Sequence, residues 1–64
     1  KGNTMKPEYK IVTRTDGIQR VYYSHVYFDA AELFHVISRE LPYVELWEGN
    51  RLLQTYDSLG QLLA

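Results

Sequence analysis

Cysteine is absent from the 64 residues, so neither a disulfide nor a cysteine-based zinc site can staple the fold. No apolar run approaches the ~18 residues of a membrane-spanning helix. No charged stretch leads into an apolar segment of the kind that marks a secretory signal. The expected setting is therefore reducing and cytoplasmic, with no membrane partner. HExxH and CxxC spacings are missing, as are a glycine-rich phosphate loop, a GxxG loop and an RNP-type motif. No cofactor, metal or catalytic residue is expected.

What is present bounds the architecture. The apolar fraction of 45% is too high for intrinsic disorder. A chain this short buries only about 60% of the surface its unfolded form exposes. One small core can just hold it together, and self-association would help. The net charge of −1 hides an asymmetry. Residues 1–28 carry five basic and two acidic side chains, whereas residues 29–64 carry two basic and six acidic ones. The two halves can attract each other within one fold or across a dimer, or the basic half can meet phosphate.

Residues 1–7 read as a flexible leader and residues 8–64 as one domain. Tyr9 to Thr15 is rich in β-branched and aromatic residues and ends at Asp16-Gly17. That dipeptide suits a two-residue type I′ turn, because both positions need positive φ. The next run, Ile18 to Phe28, reads as a second strand, with a bend or bulge near Ser24 or His25. The two-residue loop sets Val12 opposite Val21 and Lys10 opposite Tyr23.

The period then changes. Asp29 reads as an N-cap with Glu32 three residues on, a capping-box arrangement. Ala30, Leu33, Phe34, Ile37 and Leu41 make one apolar helical stripe. Pro42 cannot continue that helix. Tyr43 to Glu48 alternates again, Gly49-Asn50 suits a II′-type turn, and Arg51 to Tyr56 returns. This register sets Glu48 opposite Arg51, Trp47 opposite Leu52, Leu46 opposite Leu53, Val44 opposite Thr55 and Tyr43 opposite Tyr56. Leu59, Leu62 and Leu63 follow in a tail that could fold back on the sheet.

The expected fold is α+β, ββαββ: a four-stranded, mostly antiparallel sheet with one helix packed on one face. Strands 2 and 3 should run in the same direction. Tyr9, Ile11, Tyr22, Val26 and Phe28 with Val44, Leu46 and Leu53 are expected on the helix side. The open face then carries Tyr23, Tyr27, Tyr43, Tyr56 and Trp47, with Val12, Val21 and Leu52 between them. A solvated sheet face is normally polar, and an apolar patch of this extent marks an interaction surface. Trp47 is the expected anchor, ringed by Tyr43, Tyr56, Leu52, Tyr23 and Tyr27. The alternative for Trp47 is ordinary core, packed on Phe34 under the helix.

The functional reading is a non-enzymatic protein-interaction module, a homodimer or the partner of another protein, acting as a small regulator or inhibitor. Self-pairing could use the aromatic face or an edge strand. The alternative is a single-stranded nucleic-acid platform on the first hairpin, using Lys10, Arg14, Tyr23 and Tyr27. Against it stand Glu45, Glu48 and a pI near 6.1. Were there an active site, Ser24, His25 and Tyr27 would be the place to look, although neighbours in a strand point to opposite faces.

Overall fold

A computed structural model of the chain describes residues 7–58. Most of the expected leader and the Leu59–Leu63 tail lie outside the described residues.

Asp16 and Gly17 adopt φ of 54° and 77°, the paired positive values a type I′ turn demands. They join β1 (Tyr9–Thr15) to β2 (Ile18–Ser24) in the expected register, from Thr15 opposite Ile18 to Tyr9 opposite Ser24. The helix α1 (Tyr27–Glu40) follows, then β3 (Tyr43–Glu48) and β4 (Arg51–Asp57). Gly49 turns at φ 58° between the last two strands. The ββαββ order forms one sheet, β2-β1-β3-β4, with every neighbouring pair antiparallel. Strands β2 and β3 therefore run in the same direction but are separated by β1. The crossover helix spans that central strand.

The second strand is shorter than the sequence suggests. It stops at Ser24, and Tyr27 and Phe28 open the helix instead. Two causes act together, one within the strand and one across the sheet. The Ser24 hydroxyl accepts the Val26 N–H at 3.1 Å, drawing the backbone out of the ladder. On the facing strand, pairing ends at Tyr9, and Pro7 beyond it has no N–H to offer. The helix cap is accordingly Val26, with no side-chain cap bond, rather than Asp29. Asp29 lies inside the first turn, where its charge meets the positive end of the helix dipole. At the other end Leu41 is extended (φ −117°, ψ 148°) before Pro42 and still donates its N–H to the Ile37 carbonyl at 2.9 Å.

The core lies between α1 and the two central strands. Ile11, Val44 and Leu46 from the sheet meet Ala30 and Phe34 from the helix, with Tyr9 closing one end. Leu33, Ile37 and Leu41, the rest of the expected stripe, pack around them. Tyr22, Val26 and Phe28 do not join this core, contrary to the sequence expectation. All three are exposed, Phe28 at 80%. Among the described residues the buried sheet positions under the helix all belong to β1 and β3, so the helix side of β2 is left largely exposed.

A β-bulge in β4 changes the outer half of the second hairpin. Trp47 faces Leu52 as expected, but Leu46 faces Gln54, so Leu53 is the extra residue. From there on every side chain of β4 changes face. Val44 faces Tyr56 and Tyr43 faces Asp57. Tyr56 therefore packs against the core on the helix side rather than standing on the open face.

Candidate functional site: the open face of the sheet

Because side chains alternate along a strand, the face away from α1 is built from cross-sheet rows. One row runs Tyr23, Lys10, Trp47, Leu52 from β2 to β4. The next runs Val21, Val12, Glu45, Thr55. Four of the six expected contact residues stand here: Trp47 and Tyr43 half-buried, Tyr23 63% exposed and Leu52 47% exposed. Two do not. Tyr56 is turned to the helix side by the bulge. Tyr27 is in the first helical turn, edge-on to Tyr9 with ring centroids 5.6 Å apart.

Glu45 organises the face. It is only 8% exposed although it lies on the side of the sheet away from the helix, which no described element covers. The Tyr43 hydroxyl donates to one of its carboxylate oxygens, and Trp47 Nε1 donates to the other at 2.8 Å. The three residues occupy alternate positions of β3, so one carboxylate reaches forward and back along the strand to both rings. Arg14 lies 3.9 Å from Glu45, with its guanidinium 5.6 Å from the centre of the Tyr43 ring. Its Nε also donates to Gln19 at 3.1 Å. Lys10 places its ammonium 5.2 Å from the centre of the Trp47 ring. Each cation over a ring contributes about 0.5–1 kcal/mol at an exposed site. The result is two aromatic rings, each tied to the central carboxylate and each faced by a cation.

Titration follows from this packing. Burial pushes the Glu45 carboxyl up. The hydrogen bonds from Tyr43 and Trp47, with the positive charges of Arg14 and Lys10, outweigh it, so the group titrates below the usual 4.5. Tyr43 is held above 10.0, first by the hydrogen bond it donates to Glu45, then by burial and the Glu45 charge, with Arg14 opposing. A carboxyl lowered in the folded state binds fewer protons there than in the unfolded chain. Its stabilisation is full above about pH 4.5 and is lost as pH falls through the lower folded value. For the raised Tyr43 phenol, stabilisation is present below pH 10.0 and is lost as pH climbs through the raised value. Glu45→Gln should cost about 1–3 kcal/mol at neutral pH, since a neutral amide cannot satisfy both donors and Arg14 together. The variant should also lose the acid-side fall in stability. Urea midpoints measured from pH 7 down to pH 2 check this, and parallel curves for the two proteins would refute it.

The residues singled out for other chemistry are dispersed. The Ser24 hydroxyl is engaged with the Val26 backbone, while His25 Nδ1 is 3.2 Å from the Pro7 carbonyl. Tyr27 belongs to the helix. Among the described residues no group of three His, Asp or Glu side chains could hold a metal ion, and no helix is long and apolar enough to cross a membrane. An open depression of about 630 Å³ lies on the other layer, between α1 and β4, with Phe28, Phe34 and Val36 in its lining. Compared with models of known protein families, with curated proteins and with solved structures, the chain finds no match in any of the three.

Glu45 is the residue that sequence reasoning undervalued. The triplet Tyr43, Glu45, Trp47 at alternate positions was the available signal. It acquires its meaning only once Lys10 is known to stand beside Trp47, which is a long-range pairing of β1 with β3.

Proposed function

We propose that the chain is a non-enzymatic protein-docking module whose contact surface is the open face, with Trp47 as anchor and Tyr43, Tyr23 and Leu52 around it. One observation carries this reading: Glu45 already satisfies the polar atoms of both half-buried rings. A partner can cover Tyr43 and Trp47 without leaving a buried donor unpaired, which would otherwise cost about 1–3 kcal/mol per group. The rings are also held in place before contact, so less side-chain freedom is lost on binding. Trp and Tyr are the residues that dominate interface energetics. Such a module suits a small regulator or inhibitor acting in a reducing, cytoplasmic setting.

The nucleic-acid reading draws less support. It needs free cations beside stackable rings, whereas Lys10 lies over Trp47 and Arg14 lies between Tyr43, Glu45 and Gln19. Tyr27, one of its four residues, stands on the other layer.

The test is capture of binding proteins on three immobilised baits: the intact chain, Trp47→Ala and Phe28→Ala. Phe28 is an aromatic of the opposite layer and is 80% exposed. A partner held by the intact chain and Phe28→Ala but lost from Trp47→Ala is the expected result. Partners held equally by all three baits would contradict the reading.

A further inference from the structure

We infer that β2 is a self-pairing edge, and that two copies of the chain join there in antiparallel register centred on Val21. This inference is independent of the docking reading, because it uses the rim of the sheet rather than its face.

The hairpin dictates which backbone groups are available. In a two-residue turn the flanking residues, Thr15 and Ile18, exchange hydrogen bonds with each other. Antiparallel pairs then alternate, so Ile18, Arg20, Tyr22 and Ser24 point their N–H and C=O groups at β1. The same groups of Gln19, Val21 and Tyr23 point outward. Among the described residues the sheet order leaves β2 at an edge, and an edge of this kind is a template for another strand.

The register of self-pairing follows. Hydrogen-bonded antiparallel pairs must join two outward-pointing residues. Val21 is the midpoint of the seven-residue strand, so a two-fold axis at Val21 gives the greatest overlap. Val21 then faces Val21 of the second copy, and Gln19 faces Tyr23 at both ends. These pairs supply about six backbone hydrogen bonds. The intervening pair sets Arg20 against Tyr22 of the other copy, a cation beside an aromatic ring, twice over. Tyr22 (38% exposed) and Ile18 (56%) are exposed apolar side chains of β2, and pairing would cover part of both.

The opposite edge is built differently. Strand β4 carries the bulge at Leu53 and is charged at both ends, with Arg51 and Asp57. Bulges and charges are the devices that blunt an edge strand. Arg20 is the one charged residue of β2. Pairing of β2 with β2 is isologous and closes at two copies, whereas pairing of β2 with β4 would run on without end. Antiparallel pairing keeps like faces on the same side. The dimer would be one eight-stranded sheet with both Trp47 faces on one surface.

Light scattering or sedimentation of the intact chain, from micromolar to millimolar concentration, reads the mass directly. A dimer is expected. Val21→Pro removes an outward N–H that the monomer does not use, and should give a monomer with an unchanged circular dichroism spectrum. Val21→Glu and Val21→Lys should each be monomeric alone, because like charges would face each other, and should form a mixed dimer when combined. This second arm decides the matter even if the proline variant unfolds. Trp47→Ala should remain dimeric. An intact chain that is monomeric throughout would overturn the inference, as would Val21 variants that stay dimeric. Loss of the dimer in Trp47→Ala alone would place self-association on the open face instead.

Discussion

Phe34→Ala is expected to remove a large part of the chain's stability and to melt far below the intact chain. Phe34 is 4% exposed and is the largest side chain that α1 buries in the core. A buried Phe→Ala change costs about 3–5 kcal/mol, from lost transfer energy and the cavity left behind. A 64-residue chain has roughly 3–10 kcal/mol of total stability to lose. The other buried helix residue, Ala30, has no further apolar volume to offer, and no disulfide holds the chain together. The helix would keep Leu33 and Ile37 against the sheet, but both are only partly buried. Circular dichroism during thermal and urea unfolding measures the effect. A variant melting within a few degrees of the intact chain would mean that the helix is not the lid of the core.

Trp47→Ala is expected to do the reverse. It should keep the fold and abolish docking. Trp47 lies on the open face, half-buried, and its ring touches Lys10 and Glu45 rather than the helix. Removing it deletes one hydrogen bond and one cation–π contact, together about 1–2 kcal/mol of fold stability. An anchor residue in an interface is worth at least about 2 kcal/mol of binding, roughly 30-fold in affinity. The two effects therefore separate. Affinity for a captured partner should fall at least that far, while the melting curve moves much less than for Phe34→Ala. A variant that unfolds as Phe34→Ala does would identify the indole as core.

The contrast between these two aromatic residues explains what could be read from the sequence. The helical stripe through Phe34 was legible because its spacing is local. So were both hairpin turns, because positive φ at Asp16, Gly17 and Gly49 is demanded by the turn itself. A two-residue loop then propagates register along its own hairpin, which placed Lys10 beside Tyr23 and Trp47 beside Leu52 correctly. The errors arose where a non-local choice intervened. The bulge at Leu53 leaves no mark in the alternation of β4, so alternation alone puts Tyr56 on the wrong face. The end of β2 depends on Pro7 across the sheet and on the Ser24 hydroxyl, so the residue pattern alone extends the strand through Tyr27 and Phe28. Glu45 looked like an ordinary surface charge because its environment requires Arg14 and Lys10 from β1. Alternation thus places Trp47, Tyr43, Tyr23 and Leu52 on the sheet face away from the helix, but it does not single out the carboxylate that ties two of them together.

Trp47 is the one tryptophan in the sequence, so its fluorescence reports directly on the open face. Acrylamide quenching of the dilute, folded chain should find the indole accessible, with only a modest further gain on unfolding in urea. Saturation with a captured partner should then shield it. An indole that is already shielded in the dilute chain, and does not respond to the partner, would contradict a docking face built around Trp47.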